Sequence, residues 1–320
     1  MHPAPSRRAL CLFALAGLHC SGTSGSGGSG GEGGSAGAPA FVEPRGGCAD
    51  AARVGRFFVE AREDQGVVQG AVADGVVPSS IPAVSLEEGD CRFLERRNLS
   101  CTPACVGSET CGEDGACVPY PRQLDVGTVD VTGLLEPLAL EPQAPGNTYF
   151  APEVANPPFA VGSEIVVAAR GAGEVEAFAL FGVGSAPLED ALTWTLEEGS
   201  DLAVAWTAAE GSRARVFLEL GIDQHGASPV TLSCSFDDSG VGVVPASVVD
   251  ALIGAGVSGF PSGRLSRRTL DSVETAVGCV DLVVGSPRDA AVSVAGFTPC
   301  DEPEDCPEGL ACNLEIELCE

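Results

Sequence analysis

The chain has 320 residues, 44% of them hydrophobic and 5% aromatic, and its 17 basic and 45 acidic residues give a formal net charge of −28. A chain of this length has room for two or three domains. Every basic residue is an arginine, so a P-loop, a Schiff-base lysine and a serine–lysine dyad are excluded. The negative charge repels phosphate backbones, and we therefore expect no nucleic-acid partner.

The N-terminus has the pattern of an export signal, which we assign to residues 1–20. Two arginines precede an apolar run over residues 9–18, which is too short to span a bilayer and is typical of a signal peptide. Cys20 follows at the place where a bacterial lipoprotein carries its lipid, and we predict lipidation there. His19 departs from the small residue that normally precedes such a cysteine, so simple secretion stays open as the alternative.

Residues 21–47 form a predicted flexible linker. The stretch is rich in Gly and Ser and cannot bury a core, but it can hold a folded body away from a membrane. No later stretch has 18 consecutive apolar residues, so no transmembrane helix is expected. The expected location is the outer membrane or cell surface, with membrane contact only through the lipid on Cys20, or the medium if Cys20 is not lipidated.

Twelve cysteines follow the signal, and an even number in an exported chain indicates a disulfide framework. Residues 48–100 contain short β-branched or aromatic stretches bounded by Gly, Asp and Pro. They predict a small antiparallel sheet closed by a disulfide between Cys48 and Cys91. The other two isolated cysteines, Cys234 and Cys279, are predicted to form a second pair.

The remaining cysteines lie in two clusters of four, which we interpret as two copies of one small module over residues 101–123 and 299–320. Both clusters have a central C-x5-C that contains a glycine, Gly107 or Gly309. Four cysteines allow three connectivities, of which we expect first-to-third and second-to-fourth. Zinc is the less favoured alternative, because the spacing is wider than in zinc knuckles. The expected pairs are Cys101–Cys111, Cys105–Cys117, Cys300–Cys312 and Cys306–Cys319.

Residues 124–298 are predicted to form the largest unit, an immunoglobulin-like β-sandwich. Strand-like stretches recur with turns between them, and polar and apolar residues alternate over residues 192–196 and 215–220, as in strands with one buried face. The Cys–Trp–Cys order of immunoglobulin domains is missing, so only the architecture is predicted. One helix is expected between Pro245 and Gly254. The predicted fold class is therefore mostly β.

Three patterns with possible chemistry have simpler interpretations. Residues 254–259 match G-x-G-x-x-G but follow a helix, whereas a dinucleotide site needs the glycines after a strand. His225 beside Asp223 could centre a hydrolase, but a polar turn is the favoured interpretation. Asp223, Asp237 and Asp238 are weak candidates for calcium, with solvated turns favoured. We predict no catalytic residue, no cofactor and no enzymatic activity.

The two cysteine clusters resemble the small Dickkopf-N-terminal or EGF-like repeats of secreted lipoproteins from predatory high-GC Gram-negative bacteria. The order of signal, cysteine and Gly/Ser linker, and the stretch CVPYPRQLDVGTVDVTGL at residues 117–134, carry the same resemblance. It implies a location and an architecture and no activity. The sequence therefore favours a non-enzymatic surface lipoprotein that binds an unknown protein or glycan or contributes to envelope structure. A secreted hydrolase centred on His225 and a protease-inhibitor-like protein are the alternatives.

Overall fold

A computed structural model of the protein describes residues 43–189, 192–222, 230–257, 259 and 261–320. The predicted signal, Cys20 and most of the predicted linker lie outside these residues, as do Asp223 and His225. The described residues form twenty strands, one α-helix and three short 3-10 turns, so the prediction of a mostly-β chain is confirmed.

The elements, in chain order, have the following bounds. The strands are β1 (Arg53–Ala61), β2 (Gly66–Val72), β3 (Ala83–Glu88), β4 (Cys91–Glu95), β5 (Glu109–Cys111), β6 (Cys117–Pro119), β7 (Val129–Thr132), β8 (Leu138–Leu140), β9 (Tyr149–Phe150), β10 (Glu164–Ala169), β11 (Phe178–Val183), β12 (Leu192–Leu196), β13 (Leu202–Ala205), β14 (Arg215–Gly221), β15 (Val230–Asp237), β16 (Val241–Val244), β17 (Ser262–Thr275), β18 (Gly278–Val294), β19 (Cys312–Asn313) and β20 (Leu318–Cys319). The helix is α1 (Ala246–Gly254), and the 3-10 turns are Asp50–Ala52, Pro78–Ser80 and Pro303–Asp305.

One large sheet dominates the described chain. Its strand order is β3-β4-β15-β14-β17-β18-β1-β2-β9, with β12 also paired to β18, and the pairings β1–β18 and β12–β18 are parallel. The predicted separate sheet over residues 48–100 is therefore wrong, because β1 and β4 pair with β18 and β15 from the region assigned to the sandwich. A small hairpin sheet is only marginally stable alone, and these strands bury their apolar faces by joining strands far along the chain.

The long hairpin β17–β18 runs past two hydrophobic cores on the same side of the large sheet. One core contains Trp194, Leu218 and Leu252 and is covered by α1 and by the two-stranded ribbon β13–β16. The other gathers Phe57 and Ile165 and is covered by a four-stranded sheet in the order β11-β10-β7-β8. The body is thus a sandwich whose inner sheet face is covered by different elements in its two halves.

The alternation in the sequence predicts the buried faces correctly. In β12 the residues 192, 194 and 196 are buried and the threonines between them are exposed, and β14 buries residues 216, 218 and 220. Helix α1 is also confirmed, with Pro245 as its N-cap residue and Gly254 as its last residue. Its buried residues are Val248, Val249 and Leu252, which lie on one face of the helix.

The two long-range disulfides are Cys48–Cys279 and Cys91–Cys234, so the predicted pairs Cys48–Cys91 and Cys234–Cys279 are wrong. The reason is the topology of the large sheet. Cys91 and Cys234 are opposite residues of β4 and β15. Cys48 lies just before β1, which runs parallel to β18 and places the start of both strands at one edge of the fold.

The cysteine modules contain the four expected pairs, Cys101–Cys111, Cys105–Cys117, Cys300–Cys312 and Cys306–Cys319. In each module the third and fourth cysteines are opposite each other in a short hairpin, β5–β6 or β19–β20. Gly107 and Gly309 both have positive φ, which explains why both clusters need a glycine at this place. All of these sulfurs are paired, so they offer no thiolate to a zinc ion.

Gly182 of β11 packs directly against Val284 of β18, and we expect Gly182→Ala to destabilise the protein by about 1–3 kcal/mol. A β-carbon at this position would lie 2.3 Å from Val284 Cγ2. Gly254→Ala is the control, because no atom lies within 4 Å of its added methyl group. Urea unfolding measures both, and equal midpoints for the two variants would contradict the close sheet contact.

Candidate ligand-binding face

The outer face of the large sheet carries a row of four apolar side chains and one glutamine across five neighbouring strands, in which Val283 is buried and Phe58 and Phe150 are accessible. Strand register places Leu270 of β17 opposite Val283 of β18, Val283 opposite Phe58 of β1, Phe58 opposite Gln69 of β2, and Gln69 opposite Phe150 of β9. Four inter-strand spacings of about 4.8 Å make this row about 19 Å long. We call these five residues the aromatic row.

A groove lies over the part of the aromatic row formed by β1, β2 and β9. Its volume is about 550 Å³, and its lining includes Phe58, Gln69, Thr148 and Phe150. Phe150 is 44% exposed, although it is a large aromatic residue in a strand. Exposed apolar surface that forms a concave patch is typical of a binding site, whereas a single exposed residue is not.

Arg56 borders the groove and is held by a buried carboxylate. Its Nη2 donates a hydrogen bond of 2.9 Å to Asp281, whose side chain is 1% exposed. Asp281 also accepts hydrogen bonds from Arg53 Nε at 2.7 Å and from the backbone N–H of Cys48 at 2.6 Å. Arg53 is also paired with Asp50, so two carboxylates balance the charges of Arg53 and Arg56 beside the groove.

Arg268 lies across the outer face at the other end of the aromatic row. Its guanidinium carbon is 4.0 Å from the centroid of the Phe217 ring, and its Nη2 is 3.5 Å from Glu219 Oε1. Its Nε is buried without a hydrogen-bond partner. Burial lowers the pKa of Arg268 from its ordinary value, partly opposed by Glu219. The flat guanidinium thus stacks on Phe217 and covers its ring.

Tyr149 anchors the short edge strand β9 beneath the groove. Its hydroxyl accepts a hydrogen bond of 2.9 Å from the Val126 N–H and donates one of 3.0 Å to the Gly127 carbonyl. Burial raises the pKa of Tyr149 to about 12, so the phenol stays neutral and keeps donating at physiological pH. Phe150 is therefore presented to solvent by a firmly held neighbour.

The two described calcium candidates are each bound by an arginine. Asp237 lies at the end of β15 and pairs with Arg215 across the strands. Asp238 turns inward and forms a two-point ion pair with Arg267, at 2.7 and 3.0 Å. The structure therefore does not support Asp237 and Asp238 as a calcium site, because neighbouring strand residues point to opposite faces and each carboxylate already has a cation. Asp223, the third candidate, lies outside the described residues.

The hydrolase and lipidation predictions also fall outside the described part of the chain. His225 and Cys20 are not among the described residues, so both predictions stay open. In the described residues, each of the three groups with a metal-site arrangement contains cysteines that are paired in disulfides. None of these groups therefore has the free thiolates that a metal site of this kind requires.

Sequence reasoning missed the groove, although one signal was present. In the stretch from Arg53 to Ala61 the residues Phe57 and Phe58 are adjacent, and adjacent strand residues face opposite sides of a sheet. Phe57 is buried in the core, so Phe58 had to face outward. The partners Gln69 and Phe150 depend on strand pairings that the sequence alone does not reveal.

In the described part of the chain, no helix is both long and apolar enough to span a membrane. Comparisons of the chain with protein-family models, with curated proteins and with solved structures found no match.

Proposed function

We propose that the protein is a non-enzymatic binding protein of the cell exterior, anchored to the membrane by a lipid on Cys20. The observation that carries this proposal is the open groove on the aromatic row. Most apolar side chains of the large sheet are buried, whereas Phe58 and Phe150 line an open groove on its outer face. The six disulfides support a location in an oxidising compartment outside the cytoplasm, because such bonds form and persist there.

The shape of the site supports binding rather than catalysis. The groove is lined by aromatic rings, amides and a hydroxyl, together with Arg56, which is already paired with Asp281. Such a lining offers shape and hydrogen bonds to a ligand, and it lacks a nucleophile with an adjacent base. Enzymatic screening is the corresponding check: esterase or protease turnover that disappears in His225→Ala would establish the hydrolase alternative instead.

We expect Cys20→Ala to move the protein from the membrane fraction to the medium or the periplasm. The reason is that stable attachment requires the lipid, since the signal segment is too short to remain as a membrane span. Cys11→Ala, which changes a cysteine inside the signal, is the matched control and should leave the distribution unchanged. Fractionation after labelling with a radioactive lipid precursor measures both variants.

Two results would contradict the anchoring part of the proposal. One is lipid label that persists in Cys20→Ala. The other is a mature wild-type N-terminus, mapped by mass spectrometry, that does not begin at Cys20. Either result would leave simple secretion as the route to the exterior, with the groove still available for binding.

A further inference from the structure

We propose that the groove over β1, β2 and β9 binds an uncharged polysaccharide, with sugar rings stacked on Phe58 and Phe150. The inference rests on the proposed function and adds the chemical class of the ligand. Four properties of the groove support it: its exposed ring faces, its unpaired polar groups, its charge balance and its closed backbone edge.

The aromatic rings of Phe58 and Phe150 line the groove. Phe58 and Phe150 lie on either side of Gln69 in the strand register, so their rings are about two strand spacings, roughly 10 Å, apart. Phe150 is 44% exposed and has the larger free ring surface. Phe58 is half-buried, and the Arg56 guanidinium carbon lies 5.7 Å from its ring centroid, so only part of its ring is accessible. The C–H face of a pyranose ring is apolar and flat and suits such a surface, and two platforms at this separation favour a ligand with repeated rings.

Unpaired hydrogen-bonding groups lie beside these rings. The side chains of Gln69 and Thr148 are half-buried and make no hydrogen bond in the described part of the chain, and the Gln143 amide oxygen is also unpaired. An amide both donates and accepts, and a hydroxyl does the same. A ligand with many hydroxyl groups can satisfy them, whereas a purely apolar ligand would leave them buried without partners.

The charge balance disfavours an acidic ligand. Arg56 is the charged member of the described groove lining, and Asp281 beneath it accepts its hydrogen bond. An acidic glycan would find no unpaired cation in the groove and would approach a chain with a net charge of −28. A neutral glycan is free of this repulsion and needs no counter-charge.

The backbone edge next to the groove is closed, which disfavours a peptide. A peptide binds a sheet most readily by adding a strand at a free edge. Here the carbonyl of Phe150 accepts a hydrogen bond of 3.0 Å from Gln143 Nε2, and Gln143 pairs with Thr148 across the adjoining turn. The groove therefore presents side chains rather than unpaired backbone groups.

Calorimetric titration of the full-length mature protein in detergent tests this inference. The probes are three neutral oligosaccharides, cellohexaose, maltohexaose and mannohexaose, and one acidic probe, an alginate hexamer. We expect at least one neutral probe to bind. Its affinity should stay constant as the salt concentration rises, because a neutral sugar forms no ion pair with the protein that salt could screen. Phe150→Ser should weaken this binding about tenfold or more, because an aromatic platform is lost.

Val243→Ser is the matched control, because Val243 is a strand residue that is 49% exposed and lies on β16, away from the groove. Gln69→Ala should weaken binding as well, which identifies the hydrogen-bonding part of the site. The inference is overturned if no neutral probe binds, if only the alginate hexamer binds, or if Phe150→Ser and Val243→Ser bind equally. These outcomes do not affect the anchoring and turnover tests of the proposed function. The proposed function and the polysaccharide inference can therefore fail separately.

Discussion

Replacing Arg267 with Met is expected to lower the free energy of unfolding by about 3–5 kcal/mol, because it leaves a carboxylate buried without its cation. The Arg267 and Asp238 side chains are 1% and 4% exposed. Arg267 also donates to the carbonyls of Ala186 and Pro187, both at 3.1 Å. Its removal therefore also leaves these two carbonyls without their donor.

The loss should depend on pH in a defined direction. Burial raises the pKa of Asp238, but the hydrogen bonds from Arg267, Trp206 and Ser212 together lower it by more. The folded-state pKa therefore lies below the ordinary value of 3.8. A depressed carboxylate pKa stabilises the fold above the unfolded-state pKa, and this contribution is lost as the pH falls through the folded-state pKa. The difference between wild type and Arg267→Met should therefore shrink below about pH 4.

The control for this prediction is Arg264→Met on the same strand. Arg264 pairs with Asp289, and these side chains are 46% and 75% exposed, so the loss should be about 0–1 kcal/mol. The double variant Arg267→Met/Asp238→Leu should recover most of the stability, since it removes both buried charges. Urea unfolding measures all three, and equal midpoints for the two Arg→Met variants would contradict a structural role for the buried pair.

Removing the Cys48–Cys279 disulfide is expected to cost about 4–5 kcal/mol, because the bond closes a very long loop in the unfolded chain. The two cysteines are 231 residues apart in sequence. The double variant Cys48→Ala/Cys279→Ala should also free the segment before β1, whose Arg45 is bound to Asp271 at 2.9 Å on the central hairpin. Urea unfolding under oxidising conditions measures the first effect, and amide exchange of residues 45–48 measures the second.

Cys101→Ala/Cys111→Ala is the matched control. These cysteines are only 10 residues apart and lie within the first cysteine module. The shorter loop predicts a loss of about 3 kcal/mol that is confined to that module, so the main unfolding transition should not move. A main transition that moves equally in both double variants would show that the long disulfide has no special role in the body.

Local patterns in the sequence predicted the strands and the helix. The domain boundaries were predicted wrongly, because they depend on pairing between strands that lie far apart in the sequence. The alternation at Trp194 and Leu218 fixed which residues are buried, since a strand repeats every two residues. The modules were also predictable, because their cysteines lie close in sequence. Cys48 and Cys91 have distant partners instead, because β1 pairs with β18 and β4 pairs with β15.

The inward-facing charges on β17 show a second limit of sequence reasoning. Leu265 faces the core, so parity places Arg267, Thr269 and Asp271 on the same inner face. The pattern indicates polar residues inside, but their partners, Asp238 and Arg45, come from other parts of the chain. The candidate site could not be predicted from the sequence either, because Phe58 and Phe150 are brought to one groove by the strand order β1-β2-β9.

The disulfide at Cys48 also determines how a pull on the chain before Glu43 would travel through the molecule. Tension reaches Cys48 and passes through the covalent bond to Cys279, at the start of β18. That strand is paired with β17 over residues 278–291 and with β1 over residues 279–285, so both neighbours share the load. A pull that enters through this N-terminal segment would therefore load β18 in the middle of the large sheet before it reached the edge strand β9.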